Sequence, residues 1–193
     1  LNSTIAGATD AFENYDHAKA LEIIESFFWS FCDNFIELVK TRAYGNEGFS
    51  ESESQSAKAA LFFSLETVLK LLAPFIPYST EEAWSWFHKS SNSKGSIHKE
   101  NWPESINGFE NKDDVFQIAS VVISQIRGLK SVANVSQKTQ IKNVKIDADS
   151  ATAEVIKKGL SDILATGNII GDILFNESAA DSGAAILVKG ELV

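Results

Sequence analysis

The chain has 193 residues, enough for one good core or for a core plus a small second unit. Its formal charge of -9 argues against indiscriminate adhesion to nucleic acid over the whole surface, although net charge does not test a local site. No run of 18 apolar residues offers a membrane span, and the single cysteine, Cys32, excludes an internal disulfide.

The chain opens LNSTIAGATDAFENYD and contains no methionine, so a piece of a longer product is expected. No basic stretch precedes an apolar one there, so no secretory leader is expected, and a cytoplasmic, reducing setting fits the lone thiol. From about Asp16 to Thr41, Leu21, Ile24, Phe28, Phe31, Phe35, Leu38 and Val39 recur in steps of three and four. That stripe predicts a helix, with Asp16 as its cap. The dense aromatic run FFWSFCDNFIELVK (27–40) reads first as core, with Trp29 at its margin. Glycines at 45 and 48 stop the helix, and 46–56 reads as a loop.

A second helix is predicted over 56–73 through Leu61, Leu65, Val68, Leu69 and Leu72, ended by Pro74. Ser79 and Glu82 have capping-box spacing for a third helix, about Thr80 to Lys89, with Ala83, Trp84 and Phe87 inward. Residues 90–112 are polar and irregular, with Ile97, Trp102 and Phe109 as candidate anchors. A fourth helix runs from Asp114 to about Ala133 through Ile118, Val122, Ile126 and Leu129. The rhythm then changes. NVKID (143–147) alternates as a strand does, 150–164 is amphipathic, and IIGDILF (169–175) and AAILVKG (184–190) read as strands around a SAADSG turn. The expected fold is mainly α: an antiparallel helical bundle over 1–136, then a small β-α-β-β unit over 137–193.

Few residues are spaced for chemistry. His17, His88 and His98 have no partner at metal-ligand spacing, and Cys32 lies on an apolar helical face as an inert thiol. Glu81 and Glu82 fit a helix start. There is no GxGxxG pattern, phosphate loop or nucleophile elbow. No catalytic residue, metal ligand or cofactor is therefore assigned to this chain.

One feature stands out electrostatically. From Val115 to Ile146 there is no Asp or Glu, while Arg127, Lys130, Lys138, Lys142 and Lys145 all fall there. Arg127 and Lys130 are three apart and share a helix face. Lys145 points away from Val144 and Ile146. An acid-free run of cations suits contact with RNA phosphates, and these five are the candidate interface. Tyr44, Phe49 and Tyr78 lie outside the helix stripes and are candidate stacking residues.

The segments ALEIIESFFWSFCDNFIELVKTRAYG (20–45), LLAPFIPYSTEEAWSW (71–86) and GSIHKENWPE (95–104) resemble the valyl-tRNA synthetase family, in its C-terminal anticodon-binding helical domain. SQIRGLKSVANVSQKTQIKNVKI (124–146) is similar to the segment leading into that family's small α/β extension. The LAPFxPxxxEExW pattern is shared by the valine, isoleucine and leucine enzymes. The FFWxFCDxFIELVK and SIHxxxWP runs favour valine. The likeness implies a class I anticodon-binding bundle that docks tRNA(Val), and it adds Lys40 and Arg42, beside Tyr44, as candidate RNA contacts. It implies a parent enzyme that uses ATP and Mg to attach valine, with catalytic and editing domains of the same polypeptide as partners, no membrane and a monomeric state. HIGH-like and KMSKS-like segments do not occur in this chain, so it is expected to be inactive alone. The alternatives are the same domain of an isoleucyl or leucyl enzyme, or a domain that mainly braces its neighbours. On that last reading Lys40 and Arg42 would face protein.

Overall fold

A computed structural model describes residues 1–46, 48–88, 95–106, 114–176 and 186–193. The expectations for Phe109, for the SAADSG turn and for the start of AAILVKG lie outside the described residues. The fold is mainly α, a helical bundle followed by a small open α/β unit. The chain divides into two compact units, one of residues 1–33 and 56–110, the other of 34–55 and 111–193.

The first unit is helical. Helix α1 (Asn2–Glu13) precedes the first expected helix. It buries a narrow face of Thr4, Ile5, Ala8 and Ala11. Helix α2 (His17–Ser30) starts where expected, with the Asp16 carboxylate accepting the Lys19 N–H at 2.9 Å. It does not continue unbroken, because Phe31–Phe35 forms a π-helical turn before α3 (Ile36–Ala43). Helix α4 (Glu51–Leu72) begins five residues before the predicted 56, inside the expected loop. The reason is a capping box: Ser50 Oγ accepts the Glu53 N–H at 3.2 Å, while Glu53 accepts the Ser50 N–H at 2.8 Å. Helix α5 (Pro77–His88) also starts early. Pro77 occupies its first position, where the missing N–H costs nothing, so Ser79 and Glu82 are not its cap.

Ile5, Ala8, Ile24, Val68, Leu71 and Leu72 form the core of this unit, with Phe27, Phe28, Phe75 and Trp102 packed on it. A second cluster gathers Leu69, Ala73, Trp84 and Ile97. Phe87 is not inward; it is 40% exposed and lies edge-on to Phe62. Trp102 anchors the polar connector as expected. Its indole N–H donates to Thr9 Oγ1 at 2.9 Å, and its ring meets Phe12 edge-on. Asn2 closes the same strap by exchanging two hydrogen bonds with the Ile106 backbone, both 2.9 Å.

The second unit holds α3, the first turn of α4, α6 (Val115–Val132) and everything after it. The expected boundary at 136/137 does not coincide with this division, because α6 packs on the α/β elements that follow it. Helix α6 buries Ala119, Val122, Ile123 and Ile126. Strand β1 (Ile141–Asp147) is central. It leads into α7 (Ser150–Lys158) and α8 (Leu160–Gly167), a helical crossover that returns the chain parallel to β1. The expected strand 169–175 is two strands, β2 (Ile169–Ile170) and β3 (Leu174–Asn176), broken at Gly171 with φ +78°. Both pair parallel with β1, at successive positions along one of its edges. Strand β4 (Leu187–Leu192) pairs antiparallel along the other.

A bulge in β1 puts Asn143 at φ 51° and keeps Ile141, Val144 and Ile146 all fully buried despite the odd step between the first two. Gln125 on α6 locks β4 with both ends of its amide, donating to the Ile186 carbonyl and accepting the Val188 N–H at 2.8 Å.

Candidate nucleic-acid interface

All seven sequence-selected cations belong to the second unit. Their surroundings sort them. Helix α3 ends with Lys40 and Arg42 in its last turn, where cations favour the negative helix end. Lys40 Nζ lies 2.5 Å from Glu37 Oε2, both side chains more than two-fifths exposed. Such an exposed i,i+3 pair contributes little and is open to exchange. Arg42 is different. Its guanidinium lies 3.0 Å from Asp162 on α8, and the carboxylate is only 13% exposed. Arg42 Nε and Asp162 Oδ1 are buried without hydrogen-bond partners. Burial pushes the Asp162 carboxyl above its ordinary value, Arg42 pulls it down, and Glu53 adds a smaller upward push. Arg42 therefore ties α3 to α8, and is placed more as a brace than as an open phosphate contact.

On α6 the buried stripe continues past Ile126 to Lys130, which is 1% exposed. Its ammonium donates to the Gly167 carbonyl at 2.7 Å and to the Gln137 carbonyl at 3.0 Å. Desolvation lowers its pKa from the ordinary lysine value. Lys130, expected to meet RNA phosphate, is turned inward here, with its ammonium held by two carbonyls. Arg127, one turn earlier, is half-buried, and Lys138 is exposed in the linker.

These residues line one cleft of about 460 Å³. Glu37, Lys40 and Thr41 come from α3, Ile123, Ile126, Arg127 and Lys130 from α6, Gln137 and Lys138 from the linker, and Ala165–Asn168 from the end of α8. The structure thus brings together four of the seven cations over an apolar floor. Lys142 and Lys145 are exposed on β1 outside the cleft. Lys142 stands opposite Glu191, and Lys145 opposite Lys189, whose ammonium is 3.2 Å from Asp147.

Among the stacking candidates, Tyr44 is 79% exposed and Tyr78 90%, while Phe49 is half-buried. The sequence reading missed Gln137, Thr166 and Asn168. Thr166 Oγ1 donates to the Leu38 carbonyl at 3.1 Å, and the Asn168 backbone closes α8 at φ 52°. Asparagine before a strand was the available signal for the second, since it tolerates the left-handed region.

Burial, and then Asp33, raise the Cys32 pKa, which disfavours a reactive thiolate. Glu81 accepts from Ser96 Oγ at 2.8 Å and from the Ile97 N–H at 3.0 Å, and Glu82 accepts the Trp86 indole N–H at 2.8 Å. Among the described residues no group of three or more His, Cys, Asp or Glu gathers as metal ligands would, and no helix is long and apolar enough to cross a membrane.

Comparison with known proteins adds an independent line. The profile of the family described as "Anticodon-binding domain of tRNA ligase" matches residues 1–146. The valine–tRNA ligase of Bifidobacterium longum (strain DJO10A) is 42% identical over 196 aligned residues, covering 96% of this chain and 21% of that protein. That of Tropheryma whipplei (strain Twist) is 41% identical over 169 residues, covering 88% of this chain and 18% of that protein. That of Salinispora arenicola is 34% identical over 192 residues, with 90% and 21% covered. The chain spans about a fifth of the length of the curated relatives it matches.

Proposed function

The chain belongs to the family of anticodon-binding domains of tRNA ligases, and on that premise we propose that it docks the anticodon limb of tRNA(Val) as one part of a valine–tRNA ligase. The observation that carries this reading is the likeness to valine–tRNA ligases over 96% of the chain. The cationic cleft supplies its physics. There Lys40, Arg127 and Lys138 outnumber the one lining acid, Glu37, on an otherwise acidic protein, so attraction for a phosphate backbone is local. Docking far from the reaction centre gains rate by orientation and fidelity by differential binding, and no proton transfer is asked of these residues.

The remaining parts of the reading follow from the family. The parent enzyme works in the cytoplasm as a monomer. ATP and Mg act in its catalytic domain, which with an editing domain forms the rest of the polypeptide. This chain carries no HIGH-like or KMSKS-like segment and makes no adenylate by itself.

Binding of a tRNA(Val) transcript to the 193-residue chain, followed by fluorescence anisotropy across a salt series, tests the proposal. Affinity should fall linearly on a log–log plot against salt, and the double change Arg127→Glu, Lys138→Glu should weaken it about tenfold or more. An unchanged affinity removes the cleft from the interface. A transcript with a swapped anticodon should bind more weakly, and equal binding would leave the electrostatic role without recognition.

A bracing role is the second reading, favoured by the Arg42–Asp162 pair, which spends one of the seven cations inside the fold. It expects no binding of the transcript even at low salt.

A further inference from the structure

A lysine with 1% exposure is rarely buried without partners, and the two partners of Lys130 are informative. One is the carbonyl of Gly167, the last residue of α8, where carbonyls lack intrahelical donors. The other is the carbonyl of Gln137, in the linker between α6 and β1. That linker leaves α6 through Asn134 at φ 55°, and the Val135 N–H donates back to the Lys130 carbonyl at 3.0 Å. The Gln137 side chain returns to α6 as well, reaching the Arg127 carbonyl at 3.3 Å and Ser131 Oγ at 3.2 Å. Lys130 therefore holds the linker twice, by its backbone and by its ammonium, and Lys138 is the residue that follows the point held.

We propose that Lys130 is a positioning residue of the nucleic-acid interface: without touching RNA, it ties the α6–β1 linker to the end of α8 and so places Lys138 at the cleft. This rests on the RNA-docking reading above. A methionine in the same space would match the stem in length and apolar character but donate to neither carbonyl, leaving the linker free to move and Lys138 with it.

The test is a double-mutant cycle on the 193-residue chain with the tRNA(Val) transcript as probe. Lys130→Met should weaken binding about as much as Lys138→Ala does and lower the salt slope by about one. The double variant should be no weaker than Lys130→Met alone, whereas Lys130→Met and Lys40→Ala should multiply. A general loss of structure would multiply with both, so multiplication with Lys138→Ala overturns the proposal. Amide exchange in the free protein separates this from a failure of RNA docking. Lys130→Met should speed exchange at Val135, Thr139 and Ile141 about tenfold or more while the Val122 and Ile123 amides of α6 stay protected. If those linker amides are unchanged, the tie is not made, whatever the RNA does. If they respond but the wild-type chain binds no transcript, it is the docking reading that fails, and the interface role falls with it. Where Lys130→Met does not fold, the wild-type ammonium carries the test. Its protons should exchange slowly both free and with RNA bound, and exchange as fast as at Lys138, or a crosslink from Lys130 to RNA, overturns the proposal.

Discussion

At the scale of single residues, burial decides what a charged or missing side chain does. Lys130 and Arg127 are three apart in sequence and were indistinguishable as cations, yet Lys130 is fully buried on two carbonyls and Arg127 is only half-buried. The signal was present: Lys130 continues the spacing Ala119, Val122, Ile123, Ile126, and helical periodicity outweighed charge. Arg42 gave no such signal, because its partner Asp162 lies 120 residues later and only the packing of α3 on α8 joins them. Gly190 shows the opposite case, a residue chosen for what it lacks. A Cβ there would stand 2.6 Å and 2.8 Å from Ile141 side-chain carbons, and Ile141 is fully buried and has nowhere to go. Gly190→Ala should therefore cost about 1–3 kcal/mol in urea denaturation. Trimming the neighbour in Gly190→Ala, Ile141→Val should recover part of that loss; if the second change only adds its own cost, close packing is not the reason for glycine.

At the scale of elements, existence was easier to read than limits. Helices α2, α4, α5 and α6 follow from their apolar spacing, and β1 from its alternation. Helix α1 escaped because its buried face is Thr4, Ile5, Ala8 and Ala11, one large apolar residue among small ones, which makes a faint stripe. The π-helical turn at FCDNF left no break in the apolar spacing that could have announced it; its last residue, Phe35, meets Phe116 edge-on at 5.5 Å. The early start of α4 was legible in retrospect as Ser-x-x-Glu at 50–53, hidden by the polar composition around it. Ser50→Ala should lower stability by about 1 kcal/mol and raise amide exchange in the first turn of α4. Unaltered exchange there would mean that the box follows the helix rather than starting it. Of the cleft, the cations could be picked from sequence, while its walls came from elements distant in the chain: α3, the linker and the end of α8.

For the molecule as a whole, the acids pull stability against pH in two directions. Hydrogen bonds from Ser50 lower the Glu53 pKa, those from Lys189 and Asn176 lower Asp147, those from Thr152 lower Asp149, and that from Lys157 lowers Glu154. Each contributes stability above the ordinary carboxylate value of about 4 and loses it as pH falls through its lowered folded value. Asp162 has the opposite sign. Burial raises its folded pKa, so the native chain binds that proton first, and acidification adds stability as pH falls through the folded value toward the unfolded one. Asp162→Asn should thus make the fall in urea midpoint between pH 7 and 4 steeper than in the parent chain; a shallower fall would reverse the assigned sign. The order of the segments carries a last consequence. The all-helical unit is made of residues 1–33 and 56–110, whereas β1 acquires its antiparallel neighbour only with Leu187–Leu192. During synthesis the first unit can fold while the ribosome is still at work on the second. Residues 34–55, made early, must wait for the end of the chain before their own unit closes around them. A nascent chain stalled before Leu187 would hold a finished bundle and a sheet with one bare edge, the form most open to chaperones and to wrong strand partners.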